Sequence, residues 1–236
     1  MTRPALHGSR FFLGILLLLL MLFPVLEDMT RPLFLIAVIA SVFVAGVAVV
    51  RPGRSSVRSA IALAVIQIGL TLWAVSLTEN STPYRYAVGL ALATTSILIC
   101  YCIYCVLRYV LHANYITRDQ IYAGISVYLM LGFAFGCIYY LMVMLDPGCF
   151  VVNTTKLDAS GVPDLMYFSF ITLATLGYGD VTPVARFARS LSQLEALAGT
   201  LYMAVFMARL VSRAGTGPQP VAAKDSSPYP PTDERR

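Results

Sequence analysis

The chain carries little charge for its length. Aspartate, glutamate, lysine and arginine make up only 12% of its 236 residues, whereas a soluble domain carries about 25% charged residues. Hydrophobic residues reach 58% and are grouped in long blocks, so the composition excludes an ordinary soluble domain and predicts an all-α membrane protein. The net charge of +5 does not indicate nucleic-acid binding, because the basic residues flank the apolar blocks instead of forming one patch.

Cysteine and histidine are also scarce. Of the 5 cysteines, only Cys149 lies outside the apolar blocks, which predicts small packing residues and no disulfide framework or metal site. The 2 histidines, His7 and His112, lie near the ends of apolar blocks, and no nucleophile, base or metal ligand accompanies them. We therefore expect the protein not to be an enzyme.

Six apolar runs are long enough to be considered as membrane spans. They cover residues 11–26, 33–50, 60–77, 86–110, 121–145 and 190–211. The first run could instead belong to a secretory signal peptide, but Glu27 and Asp28 follow it where a cleavage site would need small residues, which favours a retained helix. The lipid bilayer is therefore an expected partner of most of the chain.

The segment between the fifth and sixth runs contains a helix that is too short to cross a bilayer. Pro163 suits the first turn of a helix, and the carboxylate of Asp164 favours the positive helix end. The sequence predicts a re-entrant helix from Asp164 to Thr175, with a return strand directly after it. Irregular backbone of this kind is stable at membrane depth only where protein or water surrounds it.

The return strand has the sequence Thr175-Leu176-Gly177-Tyr178-Gly179. Glycine adopts backbone conformations that a side chain forbids, so glycines at alternate positions allow successive carbonyl groups to turn toward one axis. The Thr175 hydroxyl adds one more oxygen below them. A simple glycine-containing turn is the alternative, but it would need neither this threonine nor the apolar segments on both sides.

The run from Thr172 to Asp180 resembles the selectivity filter of the potassium channel superfamily, and the close similarity extends roughly from Tyr122 to Val211. The usual valine is Leu176 here, and only its carbonyl is needed. The resemblance implies that oxygens replace the water shell of a permeating K+ ion, with four oxygens in each ring. The implied ligands are Thr175, Leu176, Gly177 and Tyr178, with Gly179 completing the filter. One filter segment per chain then requires a homotetramer, with the pore between the fifth and sixth of six membrane helices.

The resemblance also implies residues that support the filter. In the family, the acid after the filter often bonds to a donor on the pore helix, and here the pair would be Asp180 and Tyr167. Members with tryptophan or glutamate at the donor position differ from this chain. We also expect the ring of Tyr178 to pack against Tyr167 and Phe168, although these two could instead face lipid.

Glu195 is the single acid within the sixth run. An acid inside a membrane is costly and needs a partner, so we expect it to bond behind the filter to Thr172 or Ser169. A charge that faces the vestibule is the alternative.

Gly199 lies 20 residues after Gly179, which matches the flexible glycine of the family's inner helix and predicts a gating hinge. Close helix contact is the other interpretation. Thr200, Met203 and Met207 form one helical stripe that either lines the cavity or faces lipid.

The basic residues predict the orientation. If both termini, the 51–59 loop and the 108–118 connector lie on one side, that side carries 12 of the 17 lysines and arginines, which makes it cytoplasmic in the cell membrane. The expected organisation is a four-helix peripheral domain (1–111), a connector (112–120), a pore domain (121–212) and a disordered tail (213–236) without a regulatory domain.

A charged voltage sensor is missing. Residues 86–107 contain no arginine, and each charge that crosses the membrane contributes about 2.3 kcal/mol per 100 mV, so we expect little voltage dependence. The predicted function is passive, potassium-selective conduction. A weakly selective cation channel of the same fold and a subunit of a cation transporter are the alternatives, although the repeats or paired broken helices of carriers are missing.

Overall fold

The protein is mostly helical. The computed structural model describes residues 8–29, 54–77, 82–111, 117–152, 155–157 and 162–214. The helices in these ranges are α1 (Gly8–Met29), α2 (Arg54–Val75), α3 (Thr82–Leu111), α4 (Arg118–Leu145), α5 (Val162–Leu173) and α6 (Arg186–Ala214). The predicted second span (33–50) and residues 215–236 of the predicted tail lie outside the described residues.

Three of the described helices are long and apolar enough to cross a membrane. They comprise Pro83–Leu111, Arg118–Leu145 and Arg186–Ser212. The apolar parts of α1 and α2 are shorter, at Gly8–Leu22 and Val65–Ala74. The protein is therefore a helical membrane protein with three candidate spans in the described part of the chain, where the sequence predicted six spans over its whole length.

Two helices extend beyond the predicted spans. Helix α4 begins at Arg118, inside the predicted connector, because Thr117 caps it: its side chain accepts a bond from the Gln120 N–H, and the Gln120 side chain bonds back to the Thr117 N–H. This reciprocal capping satisfies two backbone donors that a helix start would leave unpaired. Helix α6 continues to Ala214, so the first two residues of the predicted tail are helical.

A small antiparallel sheet accompanies the helices, which the all-α prediction did not include. Its strands are β1 (Phe150–Val152), β2 (Thr155–Lys156) and β3 (Val181–Pro183), in the order β2-β1-β3. Val151 is the central residue, opposite Lys156 on one side and Thr182 on the other. The sheet thus joins the segment after α4 to the segment before α6.

Helix α4 is the centre of the packing. It contacts α1, α3, α5 and α6. Close approach depends on Gly132 and Gly136, since a β-carbon at these positions would lie 2.5 Å from the Phe170 ring and 2.3 Å from the Met166 sulfur. Small residues four apart allow two helices to approach closely, and here they hold α5 against α4.

Polar contacts join α4 to the peripheral helices at both ends. Near its end, the Arg85 guanidinium donates to the Met144 carbonyl at 2.9 Å. Near its start, Asp119 accepts bonds from Ser9 of α1 at 2.9 Å and from the Tyr109 hydroxyl of α3 at 3.2 Å. These contacts fix α1 and α3 against the helix that positions the candidate site.

Candidate functional site

The backbone of residues 175–179 alternates in handedness. Thr175, Gly177 and Gly179 have φ angles of 58°, 55° and 82°. Thr175 is the one residue other than glycine in the described ranges with a positive φ, although a left-handed conformation costs an L-residue about 1–2 kcal/mol. A left-handed residue at every second position is a geometry that lets successive carbonyl groups face one side.

The start of this segment is fixed to the end of α5. The Leu176 and Gly177 N–H groups both donate to the Ile171 carbonyl, at 2.8 and 3.4 Å, and the Thr175 N–H donates to the Thr172 carbonyl at 2.9 Å. These bonds satisfy carbonyls that the helix end would leave unpaired. They also hold Thr175 in its left-handed conformation, because the residues on both sides are tied to the same turn of helix.

A tyrosine from α4 completes this attachment. The Tyr128 hydroxyl donates to the Leu173 carbonyl at 3.1 Å. The last residue of α5 is therefore bonded to α4 as well as to its own helix.

At the other end of the segment, the Asp180 carboxyl lies beside the Tyr167 phenol. A hydrogen bond to the Asp180 side chain, more than any other effect, raises the pKa of the Tyr167 phenol. The same aspartate accepts a bond from the Val181 N–H at 3.0 Å. Asp164 also lies near Asp180. The pKa of the Asp164 carboxyl is raised, mainly by burial and secondly by the negative charge of Asp180.

The small sheet provides a second attachment beyond Asp180. The Cys149 carbonyl accepts bonds from the Val184 N–H at 2.9 Å and from the Ala185 N–H at 3.3 Å, directly after β3. Main-chain bonds therefore hold the segment that leaves residues 175–180 against the segment that follows α4.

An aromatic cluster joins α4 and α5 to the first residue of β1. The rings of Tyr139, Phe150 and Phe168 are each 5.3 Å from the other two, in edge-to-face geometry. Phe168 thus packs against Tyr139 and Phe150 of the same chain, where Tyr178 was expected to contact it. The Tyr178 side chain is 67% exposed in the single chain, which leaves most of its ring free for another contact.

Glu195 is completely buried in the single chain. The Tyr139 hydroxyl lies 2.6 Å from one carboxyl oxygen, and the Ser169 hydroxyl lies 2.5 Å from the other. Ser169 is one of the two partners the sequence suggested, and Thr172 is not bonded to Glu195. The Ser169 hydroxyl also lies 2.8 Å from the Gly132 carbonyl, so the group connects α4, α5 and α6.

Gly199 is a site of close contact. A β-carbon there would lie 2.5 Å from the Leu173 carbonyl oxygen, and α6 is continuous through this position. The hinge remains a prediction. Thr200 is the first residue of the predicted stripe on α6, and its hydroxyl donates to the Ala196 carbonyl of the same helix at 2.9 Å.

The rest of the stripe is open in the single chain. Met203 and Met207 are 44% and 52% exposed, which fits either a cavity or a lipid surface. At the far end of α6, the Arg209 guanidinium donates to the Leu111 carbonyl and connects this helix to the end of α3.

Sequence reasoning missed two tyrosines at the site, Tyr128 and Tyr139. Both lie on α4, in a run rich in aromatic residues where none is distinguished by its neighbours in the sequence. The pair Gly132-x-x-x-Gly136 was the available signal, because small residues four apart identify the face of α4 that other helices approach.

Helix packing and composition define a helical membrane protein. Similarity to known proteins defines its class more narrowly. Residues 127–215 match the model of a family described as ion channels. Protein LctB of Bacillus caldotenax is 30% identical over 99 residues, which cover 41% of this chain and 73% of that protein. No solved structure matches the chain. The protein belongs to this ion channel family, whose activity is passive ion conduction across a membrane.

Proposed function

We propose that the protein is a homotetrameric, potassium-selective channel of the cell membrane. The observation that carries this proposal is the left-handed backbone at Thr175, Gly177 and Gly179. Carbonyl groups that face one axis in four subunits form cages of oxygen dipoles, and such cages replace the water shell of K+. The K+ ligands would be the carbonyls of residues 175–178 and the Thr175 hydroxyl.

The helices then have distinct roles. Helix α5 is the pore helix, α4 is the outer helix and α6 is the inner helix, with Thr200, Met203 and Met207 along the cavity and Gly199 as the hinge. The exposed apolar face of α6 supports contact between subunits, because Leu194, Leu197 and Leu201 are each more than half exposed in the single chain. Both termini are cytoplasmic in this proposal.

The support residues complete the filter. Tyr167 and Asp180 hold its outer end, while Thr172 and Glu195 hold the side behind it. The fourth predicted span contains no arginine over residues 86–107, and the conductance is expected to depend little on voltage. A cation channel with weak selectivity would share this architecture and differ only in the ions it passes.

Flux measurements on the full-length protein in liposomes test the proposal. We expect efflux driven by a K+ gradient to exceed efflux driven by an equal Na+ gradient by a large factor. Gly177→Ala is the diagnostic variant: no atom of the same chain lies within 4 Å of the added β-carbon, so within one subunit the cost comes from the φ angle of +55°. Gly69→Ala, in α2, is the matched control, since its β-carbon also meets no atom within 4 Å and its φ is helical.

Each outcome has a defined meaning. Loss of K+ flux in Gly177→Ala with normal flux in Gly69→Ala supports a backbone filter. Equal K+ and Na+ flux contradicts potassium selectivity and favours the weakly selective channel. A monomeric mass of the purified protein by native mass spectrometry contradicts the tetramer.

A further inference from the structure

The bonding around Glu195 defines where its proton lies. The carboxyl is completely buried in one protomer, and association with further subunits can only maintain that burial. In the described ranges, Tyr139 and Ser169 are its hydrogen-bond partners, and no lysine, arginine or histidine forms an ion pair with it. An ionised carboxylate without an opposite charge is costly in such an environment.

The hydrogen atoms at Ser169 can be counted. A serine hydroxyl has one hydrogen to donate, and a carbonyl oxygen can only accept. The Ser169 oxygen lies 2.8 Å from the Gly132 carbonyl and 2.5 Å from a carboxyl oxygen of Glu195. If the serine hydrogen fills the contact with Gly132, the contact with Glu195 requires a hydrogen on the carboxyl group.

The ionised form of Glu195 leaves one contact unsatisfied. Ser169 would then have to donate to the carboxylate, and its oxygen would face the Gly132 carbonyl at 2.8 Å with no hydrogen between two acceptors. The Tyr139 hydroxyl donates to the second carboxyl oxygen at 2.6 Å, so it cannot supply the missing hydrogen. Two buried oxygen acceptors in contact with no hydrogen between them repel each other and remain unsatisfied.

We propose that Glu195 is a neutral carboxylic acid that donates its proton to Ser169 and joins the inner helix to α5. The hydrogen bonds then run in one direction, from Tyr139 to Glu195, from Glu195 to Ser169 and from Ser169 to the Gly132 carbonyl. This series of hydrogen bonds begins and ends on α4 and passes through Glu195 of α6 and Ser169 of α5. Glu195 is thus a positioning residue for the segment after α5; this role, unlike the position of the proton, rests on the proposed channel function.

Three variants separate a proton donor from a packing residue. Glu195→Gln keeps the shape of the side chain and both of its hydrogen bonds, because the amide N–H can donate to Ser169 while the amide oxygen accepts from Tyr139. Glu195→Asp keeps an acid but is one methylene too short for both contacts. Ser169→Ala removes the acceptor of the proposed bond.

Infrared difference spectroscopy of the full-length protein in lipid tests the position of the proton directly. We expect wild-type protein at neutral pH to show the carbonyl stretch of a protonated carboxylic acid. This band should be missing in Glu195→Gln and shifted in Ser169→Ala. A band that persists unchanged in Glu195→Gln, or no such band in wild type, overturns the proposal.

Flux tests the positioning role. We expect Glu195→Gln to retain several-fold more K+ flux than Glu195→Asp, with equal amounts of folded protein verified by circular dichroism and size-exclusion chromatography. Flux in Glu195→Asp equal to or above that in Glu195→Gln contradicts the role. A failure of the channel function can be distinguished from a failure of the present proposal. A wild-type protein that shows the acid band but no K+ flux refutes the channel function and still supports a protonated Glu195.

Discussion

Gly199 of α6 lies against the backbone carbonyl of Leu173, and a β-carbon at position 199 would lie only 2.5 Å from that oxygen. The contact joins the middle of α6 to the last turn of α5, from which residues 175–179 begin. Because the obstacle is a backbone atom, the neighbour cannot rotate away as a flexible side chain would. A change in the tilt of α6 would therefore move the backbone from which the proposed filter begins.

The first prediction concerns this contact. Gly199→Ala should lower stability by about 1–3 kcal/mol, the usual cost of overpacking, and should reduce K+ flux. Thermal unfolding in detergent and liposome flux measure the two effects. Gly69→Ala is the control, because its β-carbon meets no atom within 4 Å; equal behaviour of the two variants would refute the importance of the contact.

The second prediction concerns the outer end of the proposed filter. Tyr167→Phe removes the phenol hydroxyl, and with it the proposed bond to Asp180, and keeps the ring, so the proposed filter should leave its conducting state sooner. Single-channel recordings should show shorter openings than in wild type. Tyr86→Phe provides a matched control at a tyrosine that is 68% exposed. Unchanged open times in Tyr167→Phe would show that the bond does not hold the filter.

The third prediction concerns the sheet. Val184→Pro removes the N–H that donates to the Cys149 carbonyl at 2.9 Å, at a net cost of about 1 kcal/mol. Hydrogen exchange should accelerate in peptides that cover residues 175–185. Val184→Ala keeps the N–H and should exchange like wild type. If both variants exchange alike, the side chain and not the main-chain bond secures this segment.

The fourth prediction concerns external pH. A carboxyl with a raised pKa binds its proton at higher pH, so acidification neutralises Asp164 before an ordinary aspartate. We expect K+ conductance to fall as Asp164 becomes protonated, because the proposed pore mouth then loses negative charge that attracts cations. The same shift means that protonation favours the folded state, so stability rises as pH falls through the folded-state pKa of Asp164.

Conductance measured against external pH at low ionic strength checks this effect, since salt screens exposed charges. Asp164→Asn should show lower conductance at neutral pH and should lack the step attributed to Asp164. A step of the same size in Asp164→Asn would assign it to another group.

Local signals in the sequence predicted the helices well. Pro163 and Asp164 marked the start of α5, which begins at Val162, within two residues of the prediction. The long apolar runs likewise predicted α3, α4 and α6. These signals succeed because chain length, proline and helix-end charges act over a few residues.

The tertiary contacts were harder to predict. Strands β1 and β3 contain three residues each and pair Val151 with Thr182 across 31 positions of sequence, so neither is long enough to show an alternating pattern. Glu195 required a partner on energetic grounds, and the sequence narrowed the choice to Thr172 or Ser169. It could not reveal Tyr139, because that contact depends on how α4 rotates against α6.

Thr175 is a β-branched residue in a conformation that glycine accepts without penalty. The bonds of Leu176 and Gly177 to the Ile171 carbonyl offset that penalty and hold residues 175–179 against the end of α5. Loosening the last turn of that helix should let Thr175 relax before either glycine. Damage to the proposed filter would then spread outward from its inner ring.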